Sequence, residues 1–310
     1  MKHVSAPSFP QAPLLACARR GALLLVLGIS LPAAHGQSFG AFSSYPTGGT
    51  GQYAIAMGDV TGDGLTDIVT VSFDNTTASV LAGLVGGGFA SAVNYATAPN
   101  NAPTASGGAP QGVALGDVNG DGRRDIVVAN TFASNVGVLL SLAGGGFAPY
   151  STYSTGANSA PRGVALGDVN GDGRLDIVTA NGNTGTVGVL LGVAAGGFGA
   201  ASAYAAGLNS GSTVTIPYGV ALGDVNGDGR LDIVSANDAG NNVGVLLGLA
   251  AGGFAPFVNY STGTNSSPTR VAVGDVNGDG RLDIVTANVR ADSQSLYMIA
   301  AVVKPVLGVV

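Results

Sequence analysis

An all-β fold of repeated four-stranded units is what this sequence predicts, and three observations predict it. A twelve-residue stretch recurs five times: GDVTGDGLTDIV at 58–69, GDVNGDGRRDIV at 116–127, and GDVNGDGRLDIV at 167–178, 223–234 and 274–285. The first aspartates of the copies stand 58, 51, 56 and 51 residues apart, a period that marks an array or a radially repeated fold. Between the copies, short runs rich in Val, Ile, Thr and aromatics are bounded by Gly, Asn and Pro, the composition of pleated strands closed by tight turns.

The third unit shows the elements most plainly. GVALGDV (163–169) leads into the acidic loop; DIVTAN (176–181), VGVLLG (187–192), a GGF (196–198) and an extended stretch ending near Tyr204 follow. These are four strands. DIVTA and VGVLL are apolar at consecutive positions, as expected where a sheet is covered on both faces. Helices are not expected, because β-branched residues and glycines interrupt every stretch beyond the leader. Four strands per unit, repeated around an axis, is the architecture of a β-propeller.

The ends bear on closure. The last unit continues into SLYMIAAVV (295–303) without a GGF strand, while the chain before the first unit carries SFGAFSSYPTG (38–48), similar to GGFAPFVNYSTG (252–263). One end can therefore complete the unit begun by the other, giving five blades closed by N- and C-terminal strands. The alternative is a truncated larger propeller with an unpaired edge.

Residues 1–36 read as an export signal and 37–310 as the propeller domain. Arg19 and Arg20 precede the apolar run GALLLVLGISLPAA, and small residues at Ala34 and Gly36 fit cleavage before Gln37. The run is too short to favour a membrane-spanning helix. LLAC at Leu14–Cys17 mimics a lipoprotein cleavage box, but its cysteine precedes the apolar core rather than following it. Removing the leader removes Cys17, His3 and His35, so the mature chain has no cysteine, histidine or glutamate, and nine bases stand against 18 acids. No disulfide can fasten the loops of this exported chain. Its few scattered bases and a pI near 4.6 exclude nucleic acid as the expected partner.

Every acid is an aspartate, and 15 of the 18 lie in the five copies. Carboxylates gathered so closely repel one another unless a cation lies between them. Counting from the first aspartate, the loop carries oxygen groups at positions 1, 3, 5 and 9, glycine at 6, and a backbone carbonyl on offer at 7. The candidate metal-binding residues are Asp59, Thr61, Asp63, Leu65 and Asp67; Asp117, Asn119, Asp121, Arg123 and Asp125; Asp168, Asn170, Asp172, Arg174 and Asp176; Asp224, Asn226, Asp228, Arg230 and Asp232; and Asp275, Asn277, Asp279, Arg281 and Asp283. An all-oxygen set selects Ca2+ or Mg2+ over transition metals, and a flexible cage suits Ca2+ better. About five Ca2+ are expected, the weakest at Asp59–Asp67, where Thr61 replaces Asn. The loop is not an EF-hand: position 12 is Thr70, Val128, Thr179, Ser235 or Thr286, never Glu, and a strand pattern follows instead of a helix.

With these residues in place, the chain resembles the FG-GAP/VCBS repeat family, the calcium-binding propeller blades of integrin α-chains and many secreted bacterial proteins. The resemblance runs from Ser38 to about Val303. GGF at 87–89, 145–147, 196–198 and 252–254 corresponds only loosely to the family's FG and GAP signatures. The resemblance implies that each loop joins the first two strands of a blade on one rim and that partners engage the opposite rim. There lie the turns Asn130–Asn135 and Asn237–Asn242 and the connections Ala96–Gln111, Thr155–Arg162, Ala206–Tyr218 and Thr262–Arg270. Arg162, Tyr218 and Arg270 are their most distinctive groups.

An enzyme is the class least favoured: without His, Cys or Glu there is no nucleophile–base pair and no usual zinc site, although a calcium-dependent polysaccharide-active enzyme stays among the alternatives. The expected function is a secreted or periplasmic calcium-binding propeller for adhesion or protein recognition, its partner an extracellular protein or glycan. The alternative is a lectin-like carbohydrate-binding propeller. No segment after the last unit is long and apolar enough to span a membrane.

Overall fold

The computed structural model describes residues 43–98, 108–207 and 215–289. The leader at 1–36, the first five residues of SFGAFSSYPTG (38–42) and SLYMIAAVV (295–303) lie outside them. The described chain is all β, and among these residues no helix is long and apolar enough to cross a membrane. The first sheet comprises β1 (Gln52–Gly58), β2 (Asp67–Ser72), β3 (Thr77–Leu81) and β4 (Val93–Ala96). The second comprises β5 (Pro110–Gly116), β6 (Asp125–Asn130), β7 (Asn135–Leu139) and β8 (Ser151–Ser154). β9 (Pro161–Gly167), β10 (Asp176–Asn181), β11 (Thr186–Leu190) and β12 (Ser202–Ala205) form the third. β13 (Pro217–Gly223), β14 (Asp232–Asn237), β15 (Asn242–Leu246) and β16 (Val258–Ser261) form the fourth. β17 (Pro268–Gly274) and β18 (Asp283–Asn288) pair as the described part of a fifth. Every sheet is an antiparallel meander in chain order.

Burial follows strand position. The second strands are buried almost throughout: DIVVAN, DIVTAN and DIVSAN at β6, β10 and β14 have every residue inside. That is why they read as continuous apolar runs: one face packs on the preceding sheet and the other on the next. The fourth strands are short, polar and largely exposed, as suits an outer edge.

The cores lie between sheets, not within them. Val69, Val71 and Val80 of the first sheet pack with Ile126, Val128 and Leu139 of the second. Val127, Val136 and Val138 pack with Ile177 and Leu190 of the third, and the pattern repeats onward to Ile284. Fully burying one such side chain stabilises by about 1.5–3 kcal/mol, and no unit can do so alone. The first strands stand side by side, β1 against β5, β5 against β9, β9 against β13 and β13 against β17.

Aromatic keys lock neighbouring sheets at their outer edge. Tyr95 of β4 meets Phe147 edge-on at 5.0 Å; Tyr153 meets Phe198 and Tyr204 meets Phe254, each at 5.2 Å. In each pair the tyrosine is on a fourth strand and the phenylalanine ends the GGF of the next unit. Tyr45, ahead of the first sheet, meets Phe89 in the same way at 5.3 Å.

Candidate functional site

Each acidic loop joins the first strand of a sheet to its second. The aspartate at position 1 winds the loop. In the second copy, Asp117 Oδ1 accepts the N–H groups of Gly120 and Asp121 and its Oδ2 that of Gly122, at 2.7–3.0 Å. Asp59, Asp168, Asp224 and Asp275 do the same. The glycines at positions 4 and 6 hold φ of +76 to +84° with nothing near the place of a Cβ, so it is backbone conformation, not space, that requires glycine.

Positions 3, 5 and 7 form a second layer. Asp121 Oδ1 accepts the Arg123 N–H at 2.9 Å, and its Oδ2 faces the Asn119 amide at 2.9 Å and the Arg123 guanidinium. Arg174 and Arg230 engage Asp172 and Asp228 likewise. Desolvation of Asp121 and Asp172 is outweighed by the neighbouring amide, N–H and guanidinium, which hold both carboxyls below the usual range. Asp275 is held low chiefly by the Gly280 N–H. In Asp224, desolvation is outweighed by backbone donors led by the Gly229 N–H.

Position 9 has turned inward. Asp67, Asp125, Asp176 and Asp232 are wholly buried. In each, Oδ2 accepts the N–H of position 2 and Oδ1 accepts, at 2.8 Å, an N–H just beyond the third strand: Gly83, Ser141, Gly192 or Gly248. Asp283 receives the Val276 N–H. These carboxylates clasp loop to sheet, a role that the spacing alone did not disclose. Burial pushes Asp125, Asp176 and Asp232 up despite their two N–H donors, with nearby loop aspartates adding to the rise.

The donor chemistry of the loops fits a hard cation: carboxylate and carbonyl oxygens recur at the same positions five times, with an amide oxygen at position 3 in four loops and the Thr61 hydroxyl in the first, and an ionised carboxylate accepting two or three N–H groups retains a lone pair. The side chains are not gathered as a finished cage. Among the described residues no group of three or more acidic side chains converges on one point, and in three loops an arginine occupies the position 5 carboxylate.

A different site lies at the opposite ends of the first strands. Gln52 and Tyr53 of β1, Gln111 of β5, Arg162 of β9 and Arg270 of β17 line an axial cavity of about 430 Å³. Every first strand has a bulge at its start, and the residues it leaves unpaired are Tyr53, Gln111, Arg162, Tyr218 and Thr269. Bulges re-aim side chains and cluster beside binding sites. Gly163 and Gly219 let the strands close up here: a Cβ on either would meet the next first strand's backbone at 2.8 or 3.0 Å. The Arg162 guanidinium lies 4.1 Å over the Tyr218 ring. Thus three groups singled out in the sequence, Arg162, Tyr218 and Arg270, come together. Tyr53, Phe73 and Phe132, which were not singled out, make an aromatic chain beside them, with centroids 5.8 and 5.6 Å apart.

Radially repeated antiparallel sheets whose cores lie between units define a propeller-like repeat protein. A family model described as FG-GAP-like repeat matches residues 59–128, 117–179, 168–235 and 224–286 in tandem, and the chain belongs to that family. No curated protein matches it in sequence. Solved structures with similar folds include a lectin from Agrocybe aegerita that recognises non-reducing terminal N-acetylglucosamine, at 23% identity over 77% of this chain and 61% of that one, TM-score 0.52. They also include the periplasmic gluconolactonase PpgL of Pseudomonas aeruginosa (19%, 79% and 68%, TM-score 0.54) and virginiamycin B lyase of Staphylococcus aureus (14%, 78% and 64%, TM-score 0.50). The chain spans less than two thirds of the lectin and the lyase. At these identities the likeness is one of fold.

Proposed function

We propose that this protein is an exported, calcium-stabilised propeller of five blades that serves as a non-catalytic recognition or adhesion module. The observation that carries the reading is a division between two rims. On one, five nearly identical acidic loops repeat a hard-cation donor set. On the other, the same backbone bulge presents Tyr53, Gln111, Arg162, Tyr218 and Thr269 in turn, four residue types over five units, as a face diversified for one partner requires.

In each loop the side chains at positions 1, 3, 5 and 9 and the carbonyl at position 7 would hold the ion, whose part is to neutralise clustered carboxylates and tie the first two strands. The local work is done by the chain itself: the first aspartate pre-winds the turn and the last fastens it to the sheet. Arg123, Arg174 and Arg230 act as internal counter-charges that a cation must displace from position 5. Ten positive charges on about five ions would nearly cancel the mature chain's excess of nine negative ones. Tyr45, keyed to Phe89 as a fourth-strand tyrosine is, supports closure of the ring by the N-terminal segment.

Calorimetric titration of the metal-stripped mature chain is expected to count about five Ca2+, and chelation is expected to lower the melting temperature sharply. A folded protein that binds no Ca2+ and melts unchanged in chelator refutes the calcium reading. The axial cavity favours a second reading, a lectin-like propeller. A glycan array with and without Ca2+ separates the two: specific sugar binding supports the lectin, and silence moves the assignment to a protein partner.

A further inference from the structure

We infer that the axial cavity is a binding site for a small acidic sugar, a uronate-type ring whose carboxylate is taken by Arg162 and Arg270. The inference deepens the lectin-like reading and rests on the bulged rim being the recognition face.

Charge comes first. This is an acidic chain, yet the cavity lining contains two arginines and no aspartate. The described ion pairs all lie in the acidic loops, at Arg123, Arg174 and Arg230. Arg270 spends one N–H on the Thr269 carbonyl at 3.0 Å. Arg162 rests on an aromatic face, and its buried Nε has no hydrogen-bond partner among the described residues. A buried guanidinium N–H without an acceptor is costly, and the planar fork of this half-buried group fits a carboxylate.

The neutral groups narrow the ligand further. Gln111 is 8% exposed and its Oε1 lacks a partner; both amide atoms of Gln52 are buried and unpartnered as well. Unpaired amides in a cavity wall are the groups that hydroxyls satisfy. The aromatic chain from Tyr53 through Phe73 ends at Phe132, which is 51% exposed and lines an adjoining cleft of about 210 Å³ that shares Arg162. The Tyr53 ring, two amides and two guanidiniums in one cavity wall together match a carboxylated polyol ring. A bare phosphate would leave the amides and rings without a role. A volume of about 430 Å³ falls in the range of small-molecule sites, roughly 300–1,000 Å³.

The repeats supply an independent argument. The first strands share VALG or a close variant after the bulge and vary chiefly at the bulge itself, where Tyr53, Gln111, Arg162, Tyr218 and Thr269 stand; the next residue is glycine in three units (Gly112, Gly163, Gly219), Ala54 in the first and Arg270 in the last. Of these divergent residues, Tyr53, Gln111, Arg162 and Arg270 line the cavity.

The test is calorimetry on the calcium-loaded mature chain, titrated with glucuronate, galacturonate, glucose, galactose, inorganic phosphate and sulfate. The expected result is saturable uronate binding, at least about 10-fold stronger than for the neutral sugars, that falls about 10- to 100-fold in Arg162→Gln. Arg270→Lys keeps the charge without the fork and is expected to lose part of the affinity; Gln111→Ala gives a third readout if either arginine variant fails to fold. Equal binding of neutral sugars, unaffected by the arginine changes, overturns the acidic assignment and leaves a lectin. Equal binding of phosphate and sulfate overturns the sugar assignment. No binding of any probe to a calcium-loaded, folded chain overturns the site itself, while the calcium titration and glycan array still judge the wider reading.

Discussion

Asp125 shows how one residue type serves two purposes within nine positions. Asp117 and Asp121 organise an exposed turn, whereas Asp125 sits at zero exposure and accepts the N–H groups of Val118 and Ser141. Asp125→Asn keeps the shape but turns an amide NH2 towards one of those donors, an expected cost of about 1–3 kcal/mol. The pH dependence has a definite sign. Burial raises the folded pKa of Asp125 above its unfolded value, so between the two the folded state holds more protons and stability rises as pH falls. The Asn variant lacks this gain. Denaturation in chelator from neutral pH down to the ordinary aspartate range is therefore expected to show the wild type drawing further ahead of Asp125→Asn. A narrowing gap would mean that the N–H donors win and the carboxyl is held low. From sequence, position 9 read as one more ligand; only its place at the mouth of a buried strand hinted at the clasp, and its partners 16 residues on lay beyond any local pattern.

At the level of the element, the outer aromatic keys and the bulged inner strands have different origins and different legibility. Tyr153 on β8 meets Phe198 at 5.2 Å and packs on the core shared with Ile177 and Leu190. Tyr153→Leu keeps most of the apolar area and loses the edge-on pair, about 0.5–1.5 kcal/mol. A fall of about 2–4 °C in melting temperature is expected; an unchanged one would show the key to be incidental. The strands themselves were readable, because DIVTAN-like runs and turn residues recur at fixed offsets. The bulge was not, since a one-residue slip in pairing leaves the hydrophobic pattern of Val164–Leu166 intact. What was visible was that Arg162, Tyr218 and Arg270 stood out from the polar connections; Tyr53, Gln111 and Thr269 did not. They needed the register to become a site.

For the whole molecule, the aromatic keys make testable how the sheet begun by β17 and β18 is completed. Tyr95, Tyr153 and Tyr204 each meet the GGF phenylalanine of the following unit. Tyr260 stands at the same place on β16, but no GGF follows β18. The N-terminal segment offers the missing partner by register: Phe39 precedes Tyr45 by six residues, as Phe254 precedes Tyr260, and Gly48 follows Tyr45 by three, as Gly263 follows Tyr260. Tyr45 already fills the tyrosine's part against Phe89. If the segment is the outer strand of the fifth blade, Phe39 and Tyr260 form the fifth key, and a double-mutant cycle with Phe39→Ser and Tyr260→Ser should return a coupling of about 0.5–1.5 kcal/mol. Residues that do not meet give additive losses. A coupling near zero, beside a normal one for Tyr153 and Phe198, would mean that the two ends do not share a blade. The ring would then have to close by other means or remain an arc. In an arc the axial cavity, walled by β1 on one side and β17 on the other, would have nothing tying those two walls together, and Arg270 would lose its fixed place in the wall that it shares with Arg162.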